Sequence, residues 1–245
     1  MATFVLVHGG WGGGWEWRPV ADRLVTAGHV TYRPTLTGLG ERRHLGHPKV
    51  DLETHIKDVI GVLEAEDLVD VVLVGQSYAG AVVTGVADRV PERIRRLVYV
   101  DAFVPRDGES VNDLSPVRFV ERLRALARTD GDGWQVPLPF DDLGLPADIA
   151  GWYGGHLGPH PLATLDQPVR LTDAVESVPR SYVDCAPPGA KATWLFRSFA
   201  DRARSESWDQ HDLPVGHDAH VIAPDRLAAL LIGISALQPE VAVPT

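Results

Sequence analysis

Apolar runs that alternate with helical patterns constrain the fold of this chain more than any other feature. Three runs, "TFVLVH" (3–8), "VVLVG" (71–75) and "LVYVD" (97–101), are almost continuously apolar, as is typical of parallel strands covered on both faces. Further strands are predicted at 30–33, 180–185 and 208–213, and helices at 19–27, 51–66, 77–90 and 225–237. The chain is therefore predicted to be an α/β protein, with a mostly parallel six-stranded sheet, helices on both faces and right-handed crossovers.

The alternation stops between about residues 105 and 178. This stretch is rich in proline and glycine and contains one helical pattern, "VERLRALA". Because it is too long for a single loop, we interpret it as a helical insertion that forms a lid over the carboxyl edge of the sheet. Ordinary extra helices elsewhere on the surface are the alternative. We find no linker, so residues 1–245 are predicted to form a single domain.

Composition and charge narrow the class of partner. The net charge of −10 argues against a nucleic-acid partner, which would favour a basic face. No apolar run reaches the length of a membrane span, and the N-terminus lacks the features of a signal peptide. Cys185 is the only cysteine, which favours a reducing compartment, so we expect a cytoplasmic protein that acts on a small molecule. The sequence allows a homodimer but does not fix the oligomeric state.

The sequence "VVLVGQSYAG" places Ser77 at the end of a buried strand and just before a helix of small residues. Sites of parallel α/β sheets form at this edge. A sharp strand-turn-helix connection would strain the serine backbone and raise its hydroxyl above the sheet, with small residues on either side for steric reasons. We therefore predict that Ser77 is a nucleophile; a helix N-cap serine is the alternative.

A serine nucleophile needs a base. His217 follows the last predicted strand and precedes the closing helix, which suits a general base. A metal site formed by His211, His217 and His220 is the alternative, but His211 lies within the strand while the other two lie on a loop. No metal and no cofactor are predicted.

An oxyanion hole requires two backbone N–H groups directed at the developing charge. Tyr78, the residue after the nucleophile, is predicted to supply one. The glycine-rich loop "HGGWGGGWEW" after the first strand is predicted to supply the other from Gly10, with Trp11 as the alternative. A phosphate-binding loop is excluded because no Gly-Lys-Ser/Thr sequence follows.

These motifs, together with "PTLTGLGERRHL" and "LPVGHDAH", resemble the α/β-hydrolase fold family. Within it the chain resembles small lidded esterases related to plant methyl esterases and hydroxynitrile lyases. The resemblance implies Ser77 as nucleophile, His217 as base, and Gly10 and Tyr78 as oxyanion donors. Hydroxynitrile lyases differ at two positions, with threonine in place of Gly9 and lysine in place of Asp218. Gln76 also replaces a histidine that is frequent in relatives.

The third member of the triad departs from the family pattern. Relatives commonly carry the acid on the loop after the penultimate strand, where this chain has Pro188. Asp101, at the end of the preceding strand, can reach the same histidine, and we predict that it orients His217. Asp184 is the second candidate, and a purely structural Asp101 is the third.

Aromatic side chains are candidates for the substrate pocket, and such a pocket would suit an aromatic group. The predicted pocket residues are Trp11, Phe103, Trp134, Trp152 and His156, with Tyr78, Tyr153 and His160 as further candidates. We expect a carboxylesterase-like serine hydrolase that cleaves an ester or lactone of a small aromatic or polyketide-like molecule. The alternatives are a lyase or cyclase that uses His217 as base, and a catalytically silent binding protein.

Overall fold

The computed structural model describes residues 1–140, 143–187, 189 and 195–237. Six parallel strands form its central sheet, in the order β2-β1-β3-β4-β7-β8, and β5 and β6 form a separate antiparallel pair. The strands are β1 (Thr3–Val7), β2 (Val30–Tyr32), β3 (Val71–Gln76), β4 (Ile94–Val100), β5 (Gln135–Val136), β6 (His160–Pro161), β7 (Arg180–Asp184) and β8 (Asp209–Asp212). The predicted six-stranded α/β architecture is thus confirmed.

Helices connect these strands. They are α1 (Arg18–Thr26), α2 (Leu52–Ala65), α3 (Ala79–Arg89), α4 (Val117–Asp130), α5 (Ala147–His156), α6 (Ala163–Asp166), α7 (Arg197–Ser205), α8 (Ala219–Ile222) and α9 (Pro224–Ser235). Short 3-10 helices lie at Gly14–Trp17, Gly40–Leu45, Pro91–Arg93 and Ala174–Ser177. In the part of the chain that the structure describes, none of the helices has the length and apolar character needed to cross a bilayer.

Two apolar layers enclose the sheet, one on each face. Alternate side chains of β1 show the division: Val5 and Val7 belong to the layer that contains α2, α3 and α7, whereas Phe4 and Leu6 belong to the layer that contains α1 and α9. Burial on both faces explains why β1, β3 and β4 are continuous apolar runs. The edge strand β8 carries only polar residues, all of them exposed or half-buried.

The segment 105–178 contains α4, α5, α6 and the β5–β6 pair. Its side chains line a cavity together with residues that follow β1, β3, β4 and β8. Residues of this segment therefore lie beside the carboxyl ends of the strands.

Candidate active site

One cavity, with a volume of about 580 Å³, lies between the carboxyl edge of the sheet and the 105–178 segment. Ser77 and His217 line its floor, together with Gly10 and Tyr78. Most of its other walls are apolar, with Leu123 and Leu165 among the residues from the segment above the sheet. An apolar cavity with a few convergent polar groups is typical of a small-molecule site.

The backbone of Ser77 is strained, with a φ of 56°. This left-handed conformation is unfavourable for a side-chain-bearing residue. The turn is closed by hydrogen bonds from the N–H groups of Gly80 and Phe103 to the Ser77 carbonyl oxygen, both 3.1 Å. A Cβ at Gly75 would lie 2.6 Å from Val83 Cγ2, and a Cβ at Gly80 would collide with the Phe103 carbonyl oxygen. The small residues around Ser77 are therefore required by close packing.

A carboxylate contacts the Nδ1 of His217. Asp101 Oδ2 lies 2.7 Å from His217 Nδ1, and Asp101 is fully buried at the end of β4. Asp184, the second candidate for this position, instead accepts a hydrogen bond from the Ala186 N–H at 3.0 Å and lies 3.8 Å from Arg197. Pro188, the position that carries the acid in relatives, lies outside the described residues.

His217 is also contacted on its ring face and on Nε2. Phe196 stacks on the ring at 4.9 Å with an interplanar angle of 4°, and Gln76 Nε2 lies 3.2 Å from His217 Nε2. Burial by itself lowers the pKa of His217, but the hydrogen bond to Asp101 and the charges of Asp101 and Asp218 outweigh it, so the net shift of the pKa is upward. The environment thus favours a protonated imidazole when a proton arrives.

Two backbone N–H groups remain available beside Ser77. In the described ranges, neither the Gly10 nor the Tyr78 N–H donates a hydrogen bond within the protein. The N–H of Trp11, by contrast, donates to His160 Nδ1 at 3.2 Å. Of the two candidates on the glycine-rich loop, Gly10 therefore has the N–H that can serve a substrate oxygen.

Two buried histidines hold the segments that carry these N–H groups, one through Tyr78 and the other through Trp11, the residue after Gly10. His55 accepts a hydrogen bond from the Tyr78 hydroxyl at Nδ1 and donates from Nε2 to the Thr37 carbonyl oxygen, both at 2.8 Å. Burial lowers the pKa of His55 to about 4, so it stays neutral. His160, which accepts from Trp11, donates in turn to Thr164 Oγ1 at 2.6 Å.

A second polar group lies in the cavity wall. The Tyr153 hydroxyl is 3.0 Å from Glu16 Oε1 and 3.1 Å from Asp218 Oδ1. A phenol has one hydrogen and can donate to only one carboxylate, so the other carboxyl must be protonated and donate to the phenol oxygen. Burial, followed by the charge of Asp218, raises the pKa of Glu16 well above its usual range. We therefore assign the proton to Glu16 and the negative charge to Asp218.

The predicted pocket residues divide into two groups. Trp11, Phe103, Tyr78 and Tyr153 line the cavity. Trp134, Trp152, His156 and His160 lie outside it, which corrects the prediction for these four.

Local packing explains these corrections. The Trp134 ring packs beside Gly46, and His160 is buried behind Trp11. Trp152 and His156 lie on the outer side of α5, where both pack around Trp15.

Sequence reasoning missed the roles of Glu16 and Gln76 in this cavity, because the motifs that contain them do not specify the distant residues that they contact. It also missed α7, whose signal was present as ion pairs four residues apart, Arg197–Asp201 and Arg202–Glu206. Across the described ranges, no group of three or more histidine, cysteine, aspartate or glutamate side chains is arranged to hold a metal ion.

Comparison with known proteins identifies the family of this chain. Residues 4–230 match the model of the alpha/beta hydrolase family. A carbendazim hydrolyzing esterase from Nocardioides sp. (strain SG-4G) is 41% identical over 243 residues, covering 96% of this chain and 100% of that protein. Methylesterase 9 from Arabidopsis thaliana is 36% identical over 106 residues, which are 43% of this chain and 41% of that protein.

Among solved structures, an extracellular alpha/beta-hydrolase from a Paenibacillus species has a TM-score of 0.83 and 28% identity, covering 95% of this chain and 98% of that one. That hydrolase is described as sharing structural and functional homology with tobacco salicylic acid binding protein 2. The chain therefore belongs to the α/β-hydrolase family. Within that family it is a hydrolase of the carboxylesterase type.

Proposed function

We propose that this enzyme is a serine hydrolase that cleaves a carboxylic ester or lactone of a small aromatic or polyketide-like molecule through an acyl-enzyme. The observation that carries the proposal is the 2.7 Å contact between Asp101 and the Nδ1 of His217, in a cavity whose floor also holds the strained Ser77. A serine, a histidine and an orienting carboxylate at one site are the elements of nucleophilic acyl transfer.

The mechanism follows from the arrangement of these groups. Ser77 Oγ attacks the substrate carbonyl carbon while His217 Nε2 accepts the hydroxyl proton. The N–H groups of Gly10 and Tyr78 stabilise the oxyanion that forms. The intermediate then expels the alcohol, which takes the proton from His217, and leaves an ester on Ser77. A water molecule attacks this ester, again with His217 as base, and releases the acid. Asp101 stabilises the imidazolium in both steps.

The cavity walls support an aromatic substrate. Its lining is predominantly apolar and includes Trp11, Phe103 and Phe140, which can pack on a planar ring. The esterase that is 41% identical is named for the hydrolysis of carbendazim, a methyl carbamate on a benzimidazole ring. The segment 105–178 acts as a lid in this proposal, because it supplies the roof under which such a ring would be buried.

Steady-state hydrolysis tests the proposal. Carbendazim, methyl esters of aromatic acids and aryl lactones would be compared with aliphatic methyl esters, for the natural protein and for Ser77→Ala. We expect turnover of at least one aromatic compound at 10³-fold or more above Ser77→Ala. Equal rates in both proteins would contradict the proposal and favour lyase or cyclase chemistry that uses His217 without acyl transfer.

Lyase chemistry of the hydroxynitrile type finds no support in the residues that surround Ser77. Gly9 has no side chain, and a Cβ there would collide with Gln76 Oε1. The position after the general base carries Asp218, an anion that faces Tyr153, and not the lysine of the lyases. The site thus has no cation at this position to receive cyanide.

A further inference from the structure

Gln76 contacts the general base through the nitrogen of its amide. This Nε2 lies 3.2 Å from His217 Nε2 and 3.3 Å from the His217 carbonyl oxygen. A carbonyl oxygen only accepts hydrogen bonds, so the amide nitrogen, and not the amide oxygen, must face His217. If the amide were turned over, Gln76 Oε1 would face the His217 carbonyl oxygen, and neither oxygen can donate a hydrogen bond. Gln76 is therefore fixed as a hydrogen-bond donor to His217.

The same geometry defines the tautomer of His217. Its Nδ1 faces the Asp101 carboxylate at 2.7 Å and must donate, so the Nδ1 carries the hydrogen. Nε2 then carries the lone pair that accepts from Gln76. In the described part of the chain, no hydrogen bond joins Ser77 Oγ to His217. Gln76 and Ser77 thus compete for one lone pair.

We propose that Gln76 is a positioning residue that holds His217 neutral and proton-free at Nε2 between turnovers, and that this hydrogen bond breaks when Ser77 transfers its proton. The contact itself stands on geometry, whereas its part in turnover rests on the proposed function. Once His217 Nε2 is protonated, its N–H and the Gln76 N–H face each other and neither can accept. The Gln76 amide therefore destabilises the imidazolium, whereas the Asp101 carboxylate stabilises it. Gln76 therefore limits the time that His217 spends as a cation.

Gly9 makes this placement of Gln76 sterically feasible. The Gln76 Oε1 occupies the space into which a side chain at position 9 would project, and a Cβ there would also lie 3.2 Å from Ser77 Cβ. Gln76 is almost completely buried and lines the cavity beside Ser77. The side chain of Gln76 can therefore take this position only because residue 9 is a glycine.

The other titratable groups near His217 are the same in the natural protein and in the Gln76 variants, so they affect the His217 titration equally. In the described ranges these are Asp101 at the end of β4, Asp218 on the loop of His217, and His220 on α8. Glu16 and Tyr153 lie one step further away, in contact with Asp218. A difference between the natural protein and Gln76→Met, which adds no charge, therefore reports the loss of the amide contact.

Titration of the His217 ring by nuclear magnetic resonance tests the proposal without any substrate. Ring nitrogen shifts would be followed from pH 4 to 10 in the natural protein, Gln76→Met and Gln76→Glu, with the signal assigned by its loss in His217→Asn. We expect the Nδ1–H tautomer in the natural protein at high pH. Gln76→Met should raise the titration midpoint by about half a pH unit to one pH unit, the effect of losing one neutral hydrogen bond. Gln76→Glu should raise it further, because a carboxylate accepts from the imidazolium.

Gln167→Met is the matched control. Gln167 makes its hydrogen bonds at the N-terminus of α2, with Glu53 and Asp51, far in the sequence from His217. The midpoint should stay unchanged in this variant. An unchanged midpoint in both Gln76 variants, or a neutral His217 protonated on Nε2, would overturn the proposal. If Gln76→Met fails to fold, the tautomer of His217 in the natural protein decides instead, because a neutral ring protonated on Nε2 could not accept from Gln76.

The acidic limb of kcat/KM against pH should move in the same direction as the ring titration. A shifted titration in a protein whose Ser77 is unreactive would support the Gln76 contact and contradict the proposed function. If Ser77 reacts with a fluorophosphonate but the His217 midpoint is unshifted in both Gln76 variants, the proposed function is supported and the proposed role of Gln76 is contradicted.

Discussion

The Asp101 carboxylate lies 2.7 Å from the Nδ1 of His217, although the two residues are 116 positions apart and Asp101 ends the strand that follows the nucleophile helix. The Asp101 backbone is itself left-handed, with a φ of 44°. The Tyr182 hydroxyl donates to the Ala102 carbonyl oxygen at 3.1 Å, which holds the turn that presents this carboxylate. The Asp101 carboxylate thus reaches His217 from the end of β4, and in the proposed mechanism it is the acid that orients this histidine.

Asp101→Asn should lower kcat by about 10³- to 10⁴-fold with little change in stability, because an amide no longer selects the Nδ1–H tautomer or stabilises the imidazolium. Steady-state kinetics on the best ester would measure the loss. Asp184→Asn is the control, since Asp184 contacts Arg197 and its own strand end, and it should stay within about threefold of the natural rate. The reverse pattern would show that Asp184 is the third member.

The activity should depend on pH through His217. The pKa of this base is raised above its ordinary 6.5, and catalysis requires the neutral form. We therefore expect kcat/KM to rise with pH through an acidic limb centred above pH 6.5. Asp218→Asn removes one of the charges that raise this pKa, so its limb should move to lower pH. A limb that moves upward, or stays in place, would contradict the assigned charge on Asp218.

Glu16→Gln should stabilise the protein at neutral pH. A raised pKa means that the folded state keeps Glu16 protonated while the unfolded chain ionises near 4.5, so the natural protein loses stability as pH rises above that value. The difference in the free energy of unfolding between Glu16→Gln and the natural protein should grow by up to about 1.4 kcal/mol for each unit of rising pH. Urea unfolding between pH 5 and 8 measures it. The exposed Glu64→Gln should show no such trend, and a constant difference for Glu16→Gln would argue that Glu16 is ionised.

Gly80→Ala should destabilise the protein by about 1–3 kcal/mol, the usual effect of overpacking, because the new methyl group would collide with the Phe103 carbonyl oxygen. Gly61→Ala is the matched control on α2, where a Cβ meets no atom within 4 Å, and it should stabilise by about 0.5–1 kcal/mol. Thermal unfolding compares the two. Equal effects would mean that the turn at Ser77 is not tightly packed.

Much of the fold was predictable because its signals are local. The apolar runs of β1, β3 and β4 and the amphipathic α2 follow from periodicity alone. The position of Ser77 between a buried strand and a helix of small residues, and that of His217 after the last strand, likewise follow from chain order.

The remaining features depend on contacts between distant segments. Gln76 and His217 are 141 residues apart, and the contact needs a particular side-chain rotamer that no sequence pattern specifies. Tyr153 joins Glu16 and Asp218 across 137 and 65 residues. The outward direction of Trp152 and His156 depends on how α5 is rotated about its axis, and the small and polar residues between them give that helix no clear apolar face.

Intact mass after incubation with a fluorophosphonate tests the central claim most directly, since this probe reacts with a serine that a neighbouring base activates. We expect one adduct per chain in the natural protein and none in Ser77→Ala. Asp101→Asn should be labelled more slowly, because His217 is then less effective as a base. A folded natural protein that forms no adduct, or equal labelling of Ser77→Ala, would contradict the claim that Ser77 and His217 form a working nucleophile and base.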